Sequence, residues 1–168
     1  TFDIFIKGIS GHGASPHKSI DPIVAGSMVV NALQTIVSRE NDPLEPQVIS
    51  VTAFNSGNSK NVIPEIAHLE GTTRSFNNEL RSKYKSEMER VLEGVSLTTR
   101  AEIKLDYHDG TPATVNEKES TEMGIEVAKE VFKDGFIEDY PKLMGGEDFA
   151  KYLLNIPGCF LLLGGAGK

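Results

Sequence analysis

The sequence is poor in cysteine, poor in basic residues and without any long apolar run. Cys159 is the only cysteine among 168 residues, which excludes an intrachain disulfide framework and any zinc knuckle built on cysteine pairs. It lies between Pro157-Gly158 and the apolar run Phe160 to Leu163, so it reads as a small buried hydrophobe in a cytoplasmic protein. Lys and Arg total 17 against 24 Asp and Glu, a net charge of −7. That deficit argues against a nucleic-acid partner. No stretch approaches the roughly 20 apolar residues that span a bilayer, so no membrane partner is expected. Thr1 to Lys7 has neither the basic start nor the cleavage site of a signal peptide, and there is no initiator Met. The reading is of a chain that begins inside a longer protein or has been processed.

What is present is enough for a core, with 39% hydrophobic and 24% charged residues. Thr1 to Lys7 alternates, with Phe2, Ile4 and Ile6 on one face, and predicts a strand. A loop rich in Gly, Ser and His follows. Asp21-Pro22 supplies a cap and a first-turn proline for a helix to about Arg39, with Ala25, Val29, Ala32, Leu33 and Ile36 at helical spacing. Gln47 to Phe54 predicts a second strand, Asn55 to Pro64 a long polar loop, and Glu65 to Phe76 a third strand. In that third strand Ala67, Leu69 and Gly71 oppose Ile66, His68, Glu70, Thr72 and Arg74. Asn77 or Asn78 can cap a second helix, and Ala101, Ile103, Leu105 and Tyr107 mark a last strand.

The order β-α-β-β-α-β predicts a ferredoxin-like sandwich, a four-stranded antiparallel sheet with two helices on one face. It occupies residues 1–110, with a turn at Asp109-Gly110-Thr111-Pro112. Residues 111–168 carry a different pattern. A helix is expected from about Glu117 to Lys133 with Gly135 at its end, then a short strand around Ile137. A Gly-Gly-Glu-Asp turn into a short helix and an apolar strand Cys159 to Leu163 complete it. This reads as part of an α/β domain with most of its sheet missing. The fold class is therefore α/β (α+β).

Five motifs could carry chemistry. In Gly11-His12-Gly13-Ala14-Ser15-Pro16-His17, two imidazoles sit in a loop ahead of a helix N-terminus. Such a loop either meets an anionic ligand or is an ordinary connection with solvated histidines. A zinc pair there is the weaker reading, since no HExxH or cysteine companion exists. Asn61, in Asn61-Val62-Ile63-Pro64, is either a turn residue or an amide clamp on a substrate carbonyl or carboxylate. Arg74, in Gly71-Thr72-Thr73-Arg74, is suited to bidentate carboxylate binding or to a surface ion pair. Met144-Gly145-Gly146-Glu147-Asp148-Phe149 allows close backbone approach or simply starts a helix. Gly164 to Lys168 hints at a phosphate loop but fails the pattern, because Leu162 replaces the first glycine and no Ser or Thr follows Lys168.

Taken in order, these motifs, with Ile36-Val37-Ser38-Arg39 and Asp42-Pro43, resemble the aminoacylase/carboxypeptidase-type dinuclear metallohydrolases. Within them the sequence is most similar to the N-acyl-amino-acid amidohydrolase branch, which includes hippurate and auxin-conjugate hydrolases. The resemblance implies that residues 1–110 are a lid that forms a homodimer and that residues 111–168 are a C-terminal piece of the catalytic domain. It implies two divalent metal ions, zinc or manganese, in the parent enzyme, and none in this chain, where no metal ligand is assigned. It implies N-acyl amino acids or small peptides as substrates. His12 would stabilise the oxyanion in the partner subunit's site. Asn61 and Arg74 would bind the substrate carboxylate or its neighbourhood, and Gly145, Gly146 and Glu147 would line the substrate. No role attaches to His17. The parent would be an amide hydrolase and this chain alone inactive. The alternative is a ferredoxin-like dimer that binds a ligand or regulates, without catalysis.

Overall fold

A computed structural model describes residues 1–137 and 140–165. Two compact units divide the chain, Thr1–Asp109 and Gly110–Lys168.

In the first unit the alternating segments form β1 (Phe2–Lys7), β3 (Gln47–Ser56), β5 (Ile66–Ser75) and β6 (Glu102–Tyr107). They make one antiparallel sheet in the order β3-β5-β1-β6. Two short strands, β2 (Gly11–His12) and β4 (Val62–Ile63), pair separately. The segment from Asn55 to Pro64, expected to be loop throughout, therefore ends in a strand. Its partner lies about fifty residues away in sequence, so no local pattern announces it.

The helices are α1 (Pro22–Thr35) and α2 (Asn78–Thr99). Asp21 caps α1, accepting from Ile23 N at 2.8 Å and Val24 N at 3.3 Å. Asn77, rather than Asn78, caps α2 in the same way. A π-helical turn, Ile36–Glu40, ends the first helix. Both helices lie on the face carrying Phe2, Ile4, Ile6, Ala67 and Leu69. There Ala25, Val29, Leu33, Tyr84, Met88 and Leu92 complete the core. The buried alternation is the one the sequence predicts. A register shift between Val51 and Ala53 adds one residue to β3. Phe54 thereby turns back toward α1, against Gly26, where a Cβ would come within 2.5 Å of its ring.

In the second unit α3 (Lys118–Phe132) is capped by Glu117, which accepts from Glu119 N and Ser120 N. These bonds hold the Glu117 carboxyl below its usual range. A 3-10 turn, Lys133–Gly135, follows, with the positive φ at Lys133 and not at Gly135. The turn after Gly146 leads into α4 (Ala150–Leu153). The strand expected at Cys159 to Leu163 is not present, and the one expected around Ile137 runs into residues outside the described ones. At Phe160 the N–H donates to the Asn116 side chain and the carbonyl accepts from it, so a side chain takes the place of a neighbouring strand. Cys159 is half-buried rather than buried. Glu138, Asp139 and Ala166–Lys168 lie outside the described residues, and with them the end of the Gly164 to Lys168 motif.

Gly71 explains part of one motif structurally. A Cβ there would lie 2.1 Å from the Phe2 ring and 2.4 Å from the Ser50 carbonyl. Gly71→Ala is expected to destabilise the unit by about 1–3 kcal/mol, measured by urea unfolding, because the sheet must shift to admit one methyl.

Tyr84 gives a second test. Burial pushes its phenol up to about 12. The folded state therefore prefers the neutral phenol, so its contribution to stability is complete below the unfolded value near 10 and is lost as pH rises toward 12. A fall in melting temperature confined to that window, reduced in Tyr84→Phe, is the expected result.

Candidate functional site

β2 and β4 zip the histidine loop to the asparagine loop. Gly11 faces Ile63 and His12 faces Val62. Gly13 N donates to Asn61 O at 2.8 Å, and Ser10 Oγ donates to Ile63 O at 2.9 Å. A Cβ on Gly13 would stand 3.3 Å from Asn61 O, so a glycine there eases the close approach. His12 and Asn61 are thus brought to one end of the sheet, beside Gly8 and Glu65, which also pair through their backbones.

His12 is exposed, and its Nδ1 accepts from Ala14 N at 3.1 Å. A backbone N–H can only donate, so the neutral ring carries its proton on Nε2. That leaves an N–H donor on a solvent-facing imidazole. Ser59 Oγ donates to Asn61 Oδ1 at 2.9 Å, so the amide group offers its NH2 as donor. His17 sits exposed on the 3-10 turn Pro16–Lys18.

Arg74 lies at the other end of β5, opposite Val48. It is half-buried, and Tyr84 OH donates to its carbonyl at 2.6 Å. Eight residues of extended strand separate it from Ile66, about 27 Å at about 3.4 Å per residue. One copy of the unit therefore cannot bring Arg74 to the same small substrate as His12 and Asn61.

Gly145, Gly146 and Glu147 belong to the second unit. Glu147 Oε1 accepts from Phe149 N at 3.3 Å and its carbonyl accepts from Ala150 N, so it opens α4. A Cβ on Gly146 would meet Thr111 Oγ1 at 2.9 Å, while Gly145 has open space around it.

One constellation was missed in the sequence. Asp3, His68 and Glu70 offer ligand atoms within 4.8 Å of one another, the single such His/Asp/Glu trio among the described residues. The alternation of each strand puts these residues on its polar face, but only the β1–β5 register reveals that they meet.

Two features of the outer surface also belong to the site's setting. β3 is an edge strand with no charged residue over its ten positions, whereas the other edge, β6, alternates Glu102, Lys104 and Asp106. Ile23, Val24 and Met28 of α1 are exposed. No helix among the described residues is long and apolar enough to cross a membrane.

The chain is 37% identical over 150 residues to the hippurate hydrolase of Campylobacter jejuni, covering 89% of this chain and 39% of that protein. A putative aminohydrolase from methicillin-resistant Staphylococcus aureus superposes with a TM-score of 0.80 at 34% identity, over 94% of this chain and 40% of that one. The Bacillus subtilis YXEP protein, a dinuclear metal-binding peptidase of the M20 family, does so at 0.67 and 31%, over 94% and 38%. The chain thus spans about two fifths of the length of the relatives it matches. Residues 1–99 match the peptidase dimerisation domain of the M20 family, and with more than half its length in that match the chain belongs to this family.

Proposed function

We propose that residues 1–110 are the dimerisation lid, and residues 111–168 a piece of the catalytic domain, of a metal-dependent amidohydrolase that cleaves N-acyl amino acids or small peptides. The observation that carries this reading is the separation of donors: His12 and Asn61 zipped together at one end of the sheet, and Arg74 at the other end of β5, eight residues along the strand from Ile66. The name of the Campylobacter jejuni relative supports an N-acyl amino acid as substrate.

A second copy of this chain resolves the separation. β3 is the uncharged edge, and charged edges such as β6 resist pairing. Two copies of β3 paired about a two-fold axis run antiparallel. Ser56, at the His12 end, then approaches Gln47, at the Arg74 end, of the other copy. Val24 and Met28 of α1 are exposed and would add apolar surface to this pairing. Each composite site would take His12 and Asn61 from one chain and Arg74 from its partner.

Among the described residues the donors do not fit a centre of two metal ions, since their single trio, Asp3, His68 and Glu70, has too few ligands for two ions. Zinc or manganese would be held by other parts of the parent enzyme. The residues of this chain bind and orient. Arg74 takes the substrate carboxylate through its planar fork. The Asn61 amide donates to a substrate oxygen. His12 Nε2–H donates to the oxyanion that develops as the amide carbon becomes tetrahedral, a contact stronger in the transition state than in the ground state. Gly145, Gly146 and Glu147 would line the substrate from the catalytic domain. A lone thiol such as Cys159 suits a reducing compartment, and we place the protein in the cytosol.

The assembly is tested by sedimentation at micromolar concentration. The chain is expected to be a dimer, Val24→Glu to be monomeric, and Leu97→Glu, at an exposed site on α2, to remain dimeric. A monomeric wild-type chain refutes the arrangement.

The composite site is tested in the full-length enzyme on hippurate. His12→Ala is expected to lower kcat by about 10²–10³-fold with little change in KM. Arg74→Ala is expected mainly to raise KM. Mixing the two variants should restore activity, since a mixed dimer holds one site with both groups intact. Random reassortment makes about half the dimers mixed, so about a quarter of all sites recover. No recovery after verified subunit exchange means that both residues act within one chain, which overturns the proposal.

A further inference from the structure

The open face of the sheet, away from the helices, carries three side chains that meet around one imidazole. Asp3 on β1 and Glu70 on β5 are direct cross-strand partners. Like charges so placed weaken a sheet unless positive charge lies between them. His68 stands on the same face, with Nε2 2.7 Å from Asp3 Oδ1 and Nδ1 3.7 Å from Glu70 Oε1. Its ring is held flat against Phe5, its own cross-strand partner, with centroids 4.6 Å apart and planes 2° from parallel.

The two contacts differ in kind. An ionised carboxylate only accepts, so in the neutral ring Nε2–H donates to Asp3 and the lone pair is left on Nδ1. At 3.7 Å, Nδ1 and Glu70 Oε1 are too far apart for a hydrogen bond. They are close to the roughly 3.4 Å that separates two ligands on a tetrahedral ion with bonds of about 2.1 Å. An imidazole that donates its other N–H to a carboxylate is the usual arrangement of a metal-binding histidine, fixed in tautomer and raised in basicity. The trio is only partly exposed at His68 and Asp3, and Glu70 opens it to water.

From this geometry we propose that His68 Nδ1 and the Glu70 carboxylate bind a single divalent transition-metal ion of the zinc class, with Asp3 as the positioning residue and water completing the coordination. The ion would supply the positive charge that the opposed Asp3 and Glu70 require. It would also tie positions 68 and 70 of β5 together at the middle of the sheet.

The test uses zinc and cobalt(II) alone, added to the chelator-treated chain. Calorimetry should show one zinc ion per chain, and cobalt(II) should give visible absorption with an imidazole ligand. His68→Ala is expected to remove this binding. Glu70→Gln and Asp3→Asn should each weaken it by about 10–100-fold. His17→Ala and His108→Ala should leave it unchanged. His68 ring resonances should shift on zinc addition, independently of any enzymatic activity. If His68→Ala fails to fold, the near-isosteric Glu70→Gln and Asp3→Asn decide the matter. No zinc bound up to about 1 mM, or binding that survives Glu70→Gln unchanged or disappears with His17 or His108, overturns the proposal.

Discussion

The pairing of β1 with β5, with Ile4 opposite Leu69, fixes which side of every neighbouring strand is dry. Side chains alternate along a strand, so a slip of one residue would send Phe2, Ile4 and Ile6 to water and carry Asp3 into the core. Gly71 guards that register at the Phe2 end, because the phenylalanine ring fills the space a side chain would need. The same register lines up Asp3 with Glu70 and Phe5 with His68 on the wet side. Core packing and the chemistry of the open face are two consequences of one ladder.

The ends of the sheet divide the remaining work. At one end a glycine-flanked histidine is clasped to the asparagine loop by a strand pair of two residues on each side. At the other, Tyr84 reaches from α2 to hold the backbone of Arg74. Both arrangements tie down the backbone beside a donor side chain through hydrogen bonds. A domain of this kind positions groups precisely in relation to its own sheet, and the distance between those groups is a strand length.

Much of this was legible in the sequence because it is written at short range. The alternation of Phe2, Ile4 and Ile6, the helical spacing from Ala25 to Ile36, and the caps at Asp21 and Asn77 each depend on neighbours a few residues away. The family likeness rested on short motifs in order, and the match over residues 1–99 bears it out. What escaped depends on distant partners. β4 exists only because Gly11-His12 lies beside it, and the trio at His68 exists only in the β1–β5 register. The strand expected at Cys159 to Leu163 fails for the converse reason. An apolar run such as Cys159 to Leu163 has the composition of a strand, but a strand needs a neighbour, and Asn116 supplies a side chain instead. The exposed leucines at 161–163 are what composition without a ladder looks like.

The contrast between the two sheet edges bears on how far assembly can go. A sheet with two sticky edges is a monomer unit for a fibre, since every added copy presents a fresh edge. Here only β3 is free of charge, and its extra residue near Thr52 gives the strand a local twist that a second copy must match. Once β3 is consumed in a two-fold pair, the outward edges are both β6, with Glu102, Lys104 and Asp106 repelling further strands. In the proposed pair, growth would then terminate at two chains. The charge pattern of one short strand would separate a closed particle from an open-ended filament.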